Sequence, residues 1–127
     1  MESIENSLRN RALCSSLVDE ASGDIHGEFV FAPDFPAFAG HFPGHPVLPA
    51  IVQLAAVRVA VSEALGKKII PLEMVRVKFK SMIGPGEPVR VAVKCVWEGE
   101  ERLRLSFVLE ADKGRAASGE MICEVQG

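Results

Sequence analysis

The sequence predicts an α+β fold in which a curved antiparallel sheet of about five or six strands wraps around one central helix, spanning about residues 49 to 65. Three observations point to this. The run Ala50 to Leu65 contains only Gln53, Arg58, Ser62 and Glu63 as polar members, too apolar for a helix that lies on a surface. From Pro71 onward apolar residues recur with period two between Gly-containing turns, as in meandering strands. The stretch from Gly40 to Pro49 is so dense in Gly and Pro that regular structure is blocked until the helix begins. One buried helix and several half-buried strands share a core most economically when the sheet curls around the helix.

The N-terminal ten residues are polar, with Ile4 and Leu8 four apart, and suggest a short helical lead-in. Ala12 to Val18 reads as a first strand. Ser22-Gly23-Asp24 is turn chemistry, after which Ile25, Gly27, Phe29 and Phe31 alternate with His26, Glu28 and Val30 as a half-buried strand, with His26 on its outer side. Pro49 suits the first turn of the helix, where its missing N–H is not needed, and Gly66 followed by Lys67 and Lys68 marks its end. Val75, Val77 and Phe79 then form an inward row opposed by Arg76, Lys78 and Lys80. After the turn Gly84-Pro85-Gly86-Glu87, a second row comprises Val89, Val91, Val93, Cys95 and Trp97. The third is Leu103 to Leu109, and Ala117 to Val125 makes the last.

The length of 127 residues fits a single domain, 1–127, able to bury its own core. With 48% apolar and 24% charged residues, disorder is excluded as the organising state. A net charge of -3 and a pI near 5.6 give no general attraction to nucleic acid. No apolar run reaches the roughly 20 residues of a membrane span, and the first residues lack a basic segment followed by an apolar one. The cytoplasm is the expected compartment. Cys14, Cys95 and Cys123 are far apart and without paired ligand spacing, so they are expected to be buried thiols, and no metal is expected.

Chemistry is concentrated in Gly40-His41-Phe42-Pro43-Gly44-His45-Pro46-Val47-Leu48-Pro49. A rigid turn-rich loop that feeds a helix N-terminus can hold an imidazole beside free backbone N–H groups, which polarise a carbonyl. This motif, with Val77-Lys78-Phe79-Lys80 and Gly84-Pro85-Gly86-Glu87 beyond the helix, resembles that of the hot-dog fold β-hydroxyacyl-acyl-carrier-protein dehydratases, G-H-F-P-G-x-P-x-x-P-G. The likeness covers roughly residues 12 to 125. Val52-Gln53-Leu54 further resembles the branch of hydroxymyristoyl-type and aryl-polyene dehydratases.

The resemblance implies a dimer with joined sheets and a substrate carried as a thioester on the phosphopantetheine of acyl carrier protein or on coenzyme A, with no further cofactor. It implies His41 as the base that takes the α-proton, with His45 the weaker candidate. Phe42, Gly44, Ala50, Ala55 and Arg58 correspond to substrate-binding positions, and the thioester carbonyl would sit on backbone N–H groups between Gly44 and Ala50. Arg76, Lys78 and Lys80 would meet an acidic carrier protein.

The chain departs from the family where it matters most. The helix carboxyl expected fourteen positions after His41 is Ala55, and a methyl group cannot protonate a departing hydroxyl. General acid catalysis is worth about 10²–10⁴-fold. Glu63 lies about 12 Å further along the helix axis, too far to replace it, and Gln53 points about 160° away from Ala55. Ala50 stands where the family has Gly. Arg58 shares the face of Ala55 and is expected to bind a substrate anion or to pair with a carboxylate such as Asp34 or one from a partner chain. Three readings follow: a 3-hydroxyacyl-thioester dehydratase, a non-catalytic or half-site subunit that binds acyl thioesters or the carrier, and an acyl thioesterase; the expected assembly is a homo-oligomer or a heterodimer with a related hot-dog chain, and a homodimer would lack the acid in both sites.

Overall fold

The structure is a computed structural model that describes residues 3–38 and 47–127. Ser3 caps a short helix α1 (Ile4–Ser7) by accepting a hydrogen bond from the Asn6 N–H at 3.1 Å, and one π-type turn (Leu8–Ala12) leads into the sheet. Strands β1 (Leu13–Val18) and β2 (Ile25–Val30) precede helix α2 (Ala50–Leu65). Strands β3 (Lys68–Phe79), β4 (Pro88–Trp97), β5 (Arg102–Ala111) and β6 (Gly114–Gln126) follow it. All neighbours in the single sheet are antiparallel, in the order β1-β2-β4-β5-β6-β3. The chain therefore crosses from β2 through α2 to the far edge and returns to place β4 beside β2.

Helix α2 touches β1 and β3, the two edges of the sheet, as well as β2 and β4. A flat sheet cannot bring both edges to one helix, so this sheet curls around it. Small side chains permit the close approach: Val52, Ala55, Ala56, Val57, Val59, Ala60 and Val61 are all buried. A Cβ on Gly27 would stand 3.0 Å from the Ala60 Cβ, and the Ser16 hydroxyl donates to the Ala60 carbonyl from the edge strand. The inner rows Val89–Val93, Leu103–Leu109 and Met121–Val125 complete the core.

Pro49 stands one residue before the helix, in extended backbone (φ -61°, ψ 149°), rather than within its first turn. Gly66 closes the helix in the left-handed region (φ 66°, ψ 32°) and donates to the Ser62 carbonyl at 2.8 Å. Among the described residues, no helix is long and apolar enough to cross a membrane.

Strand β3 corrects the period-two expectation. Pro71 faces Cys123 and Glu73 faces Ile122, leaving Leu72 extra; Val75 faces Glu120 and Lys78 faces Ser118, leaving one more residue between them. Arg76 in the second bulge adopts φ 52°. Each bulge shifts the parity, so Met74 and Phe79 oppose the buried Met121 and Ala117, while Val75 and Lys78 share the outer face. Val75, Val77 and Phe79 are therefore not one inward row, and Phe79 is 44% exposed. The row on β4 likewise runs out of the core at Trp97, and Cys14 is exposed rather than buried.

Candidate active site

Three chain segments converge where α2 begins. The Leu48 N–H donates to the Ile83 carbonyl at 2.8 Å, tying the start of the helix to the loop after β3. The Gly86 N–H donates to the Phe31 carbonyl at 2.7 Å, tying that same loop to the end of β2. Beyond β2 the rings of Phe29, Phe31, Phe35 and Phe38 pack in succession, with centroids 6.0, 5.0 and 6.4 Å apart, the last two pairs edge to face. Phe38 and Leu48 are buried, so both flanks of the histidine motif are anchored in the core. His41, Phe42 and Gly44, and with them His45, lie outside the described residues.

A cavity of about 280 Å³ opens at this end, lined by Val47, Ala50, Gln53, Phe79, Lys80, Ser81 and Met82. One wall is the first turn of α2. The Val52 and Gln53 N–H groups donate to the Pro49 carbonyl at 3.1 and 3.2 Å, while those of Ala50 and Ile51 have no acceptor within the helix and Pro49 supplies no side-chain cap, so their partial positive charge is presented at the cavity. The opposite wall is held to β6 by hydrogen bonds from the Lys80 and Ser81 N–H groups to the Ala116 carbonyl, at 2.7 and 3.3 Å. Such a site can bind a carbonyl or an oxyanion through backbone, in an apolar surround. Among the described residues, no carboxylate lines it.

Ala50 and Lys80 thus share one cavity, while Ala55 and Arg58 do not border it. Ala55 is 1% exposed within the apolar core. Arg58 lines a second cavity of about 420 Å³ near the far half of α2, together with Ser3, Glu5, Arg9, Ser62 and Lys68. Its partner is Glu5 at 2.5 Å, not Asp34, and Arg9 pairs with Glu63 at 2.6 Å. These two ion pairs strap the N-terminal segment across the helix. The Glu5 carboxyl is held below its ordinary range by a hydrogen bond from its own backbone N–H and by Arg58 and Arg9, against an opposing effect of burial.

Arg76, Lys78 and Lys80 are all exposed, but the bulge breaks their alternation. Arg76 sits in the bulge, 3.8 Å from Glu120; Lys78 is on the outer face; Lys80 reaches the cavity. Among the described residues, no cluster of three His, Cys, Asp or Glu side chains is arranged to hold a metal ion. Gln53, Phe79, Ser81 and Met82 were not expected at the site. For Gln53 a signal existed: it is a lone polar residue one turn after Ala50, on the same helix face.

The chain is similar to known proteins both in sequence and in fold. A 3-hydroxyacyl-[acyl-carrier-protein] dehydratase FabZ from Chloroflexus aggregans is 27% identical over 110 residues, 79% of this chain and 70% of that one. A FabZ from Streptococcus agalactiae is 34% identical over 91 residues, 66% of this chain, and the match spans 65% of that relative's length. In three dimensions the dehydratase heterocomplex ApeI:P from Xenorhabdus doucetiae superposes with a TM-score of 0.70 at 21% identity, covering 91% of this chain and 96% of that one. The fluoroacetyl-CoA thioesterase FlK superposes at 0.67 with 16% identity, covering 80% and 84%. At such identities these two structures establish the hot-dog fold and no more. Residues 17–120 match the family model described as ApeI dehydratase, and on that match, which takes in most of the sequence, the chain belongs to the ApeI-like dehydratases of the hot-dog fold.

Proposed function

We propose that this chain acts on (3R)-hydroxyacyl thioesters carried by acyl carrier protein, as the base-bearing part of a dehydratase. The observation that carries the reading is the cavity at the uncapped start of α2, which follows the His41 motif directly in sequence. In this reading the thioester carbonyl accepts hydrogen bonds from the first-turn N–H groups, His41 removes a C2 proton, and the resulting enolate is stabilised by the same backbone groups. Phe42 and Gly44 complete the substrate's surroundings beside Ala50, as the family resemblance implies.

Loss of the 3-hydroxyl as water requires one added proton. Ala55 has none to give, and the described cavity walls offer no carboxyl. The proton then comes from water or from a second hot-dog subunit seated beside this one. That second source supports a heteromeric half-site as the alternative reading, and Ala55 is the observation that favours it. The exposed Arg76, Lys78 and Lys80, the last reaching the cavity, suit the approach of an acidic carrier.

The test is hydration of an enoyl thioester on acyl carrier protein, measured for this chain alone and mixed with a related hot-dog subunit. Turnover that disappears in His41→Ala supports the dehydratase. Turnover only in the mixture supports the half-site. Turnover that persists in His41→Ala removes the base from the scheme.

A further inference from the structure

Among the residues that line the cavity, Gln53 is both polar and buried, and the scheme above does not use it. Gln53 is 4% exposed, although it lies on a helix otherwise packed with Val, Leu and Ala. Its Nε2 donates to the Leu48 carbonyl at 3.2 Å, one of the carbonyls that precede the helix. Its Oε1 is buried and has no hydrogen-bond partner among the described residues. An amide with one end tied and the other unpaired is costly: a leucine of similar volume would fill the space without the desolvation penalty. The tie to Leu48 fixes the orientation, because only the NH₂ end can donate there, so the carbonyl oxygen is the end left free. Gln53 lies three residues beyond Ala50, one helix turn further in than the free N–H groups.

We propose that Gln53 is the specificity-determining residue for the 3-hydroxyl group: its Oε1 accepts the O–H of the substrate while the thioester carbonyl rests on the first-turn N–H groups of α2. The inference rests on the thioester-binding reading of this cavity and deepens it. In a 3-hydroxyacyl thioester the carbonyl oxygen and the hydroxyl oxygen are four bonds apart, a reach of the same order as the roughly 4.5 Å rise between residues 50 and 53. An amide oxygen can only accept here. It therefore orients the hydroxyl without protonating it, leaving the oxygen's lone pairs open to whichever group supplies the proton. Neither Phe79 nor Met82 can replace it in this role. Lys80 and Ser81 line the same cavity, but the Ser81 hydroxyl donates to the Arg115 carbonyl and, among the described residues, neither donates to Oε1.

Binding separates this inference from the chemistry. The affinity of the intact protein is measured by calorimetry for 3-hydroxybutyryl-pantetheine and for butyryl-pantetheine, which differ only in the hydroxyl, with wild type, Gln53→Leu and Gln53→Met. The expected result is about a tenfold preference for the hydroxylated ligand in wild type, about 1.4 kcal/mol, that falls to near unity in both variants while butyryl-pantetheine binding holds. Both variants are expected to melt close to wild type, since each removes a buried unpaired oxygen and also the bond to the Leu48 carbonyl, two effects of opposite sign. A preference that survives in folded variants, equal affinities in wild type, or no binding of either ligand overturns the inference. Absence of turnover with the hydroxyl preference intact and Gln53-dependent upholds it while refuting the dehydratase reading; turnover without the preference does the reverse.

Discussion

Gly119 is the residue whose replacement most directly tests how β3 is shaped beside the cavity. It lies on β6 opposite Phe107, under the bulge that separates Val75 from Lys78 on β3. A Cβ added there would stand 2.8 Å from the Val77 Cα, 2.9 Å from its Cγ2 and 3.3 Å from the Phe107 Cζ. The two shortest distances are below any normal approach of carbon atoms, and one is to backbone, which cannot rotate away. Overpacking of this kind costs about 1–3 kcal/mol, and the backbone clash puts Gly119→Ala near the upper end. At roughly 2.1 cal/mol/K of unfolding entropy per residue, a chain of 127 residues loses about 10 °C in Tm for a cost of ~3 kcal/mol. Thermal unfolding followed by circular dichroism reads this. Adding Val77→Ala removes the clash with the side chain but leaves the one with the Val77 backbone, so the double variant recovers only part of the loss. Because β3 continues into Phe79 and the wall of the cavity, ligand affinity is expected to fall with Gly119→Ala as well. A Tm within about 2 °C of wild type, or full recovery in the double variant, would refute a bulge that closes on Gly119 through its backbone.

Further predictions concern the ion pairs, the thiols and the basic residues of β3. Glu5→Gln is expected to lower stability above pH 4.5, where the Glu5 carboxylate pairs with Arg58, and the difference from wild type should shrink as pH falls through the depressed native pKa, read from Tm against pH. With Arg58→Met, the double-mutant coupling at neutral pH should be no more than about 1 kcal/mol, since Glu5 stays partly hydrated. Burial pushes the Cys123 and Cys95 thiols up to about 11, with Arg58 opposing the shift at Cys123, so at pH 8 a thiol reagent should label the exposed Cys14 and spare the other two. The same raised values make the folded state favour the neutral thiols. Their contribution is complete below the unfolded pKa near 9 and is lost as pH climbs towards 11, so Cys123→Ala should flatten the alkaline limb of the Tm profile. Lys78→Glu with Lys80→Glu should weaken association with an acidic carrier protein by about tenfold at low salt and much less at high salt, measured by surface plasmon resonance.

The helix was legible because its signals are local: Pro49 and Gly66 bound an apolar run, and both ends fall within one residue of the expected limits. The rows on β2, β4, β5 and β6 were legible for the same reason, since alternation survives wherever the ladder is regular. Strand β3 was not. Its bulges at Leu72 and at Arg76–Val77 are set by what faces them on β6, and no local pattern in β3 shows that Gly119 leaves room for two residues. The partner of Arg58 is 53 positions away in sequence, and helical spacing gives its face but not what comes to meet it. At the site, the motif announced itself through its Gly, Pro and His content. Gln53 showed only as a polar residue in an apolar run, because its significance lies in an unpaired oxygen and in the cavity wall formed by residues 79–82, both of which depend on the tertiary fold.

In the proposed scheme His41 and the start of α2 generate an enolate even though Ala55 supplies no acid. Exchange of the C2 protons of a 3-hydroxyacyl or saturated acyl thioester in D₂O, followed by NMR, tests this without requiring loss of water. Exchange is expected well above the buffer rate with wild type and at the buffer rate with His41→Ala. Exchange at the buffer rate with both, or undiminished exchange in His41→Ala, would contradict it.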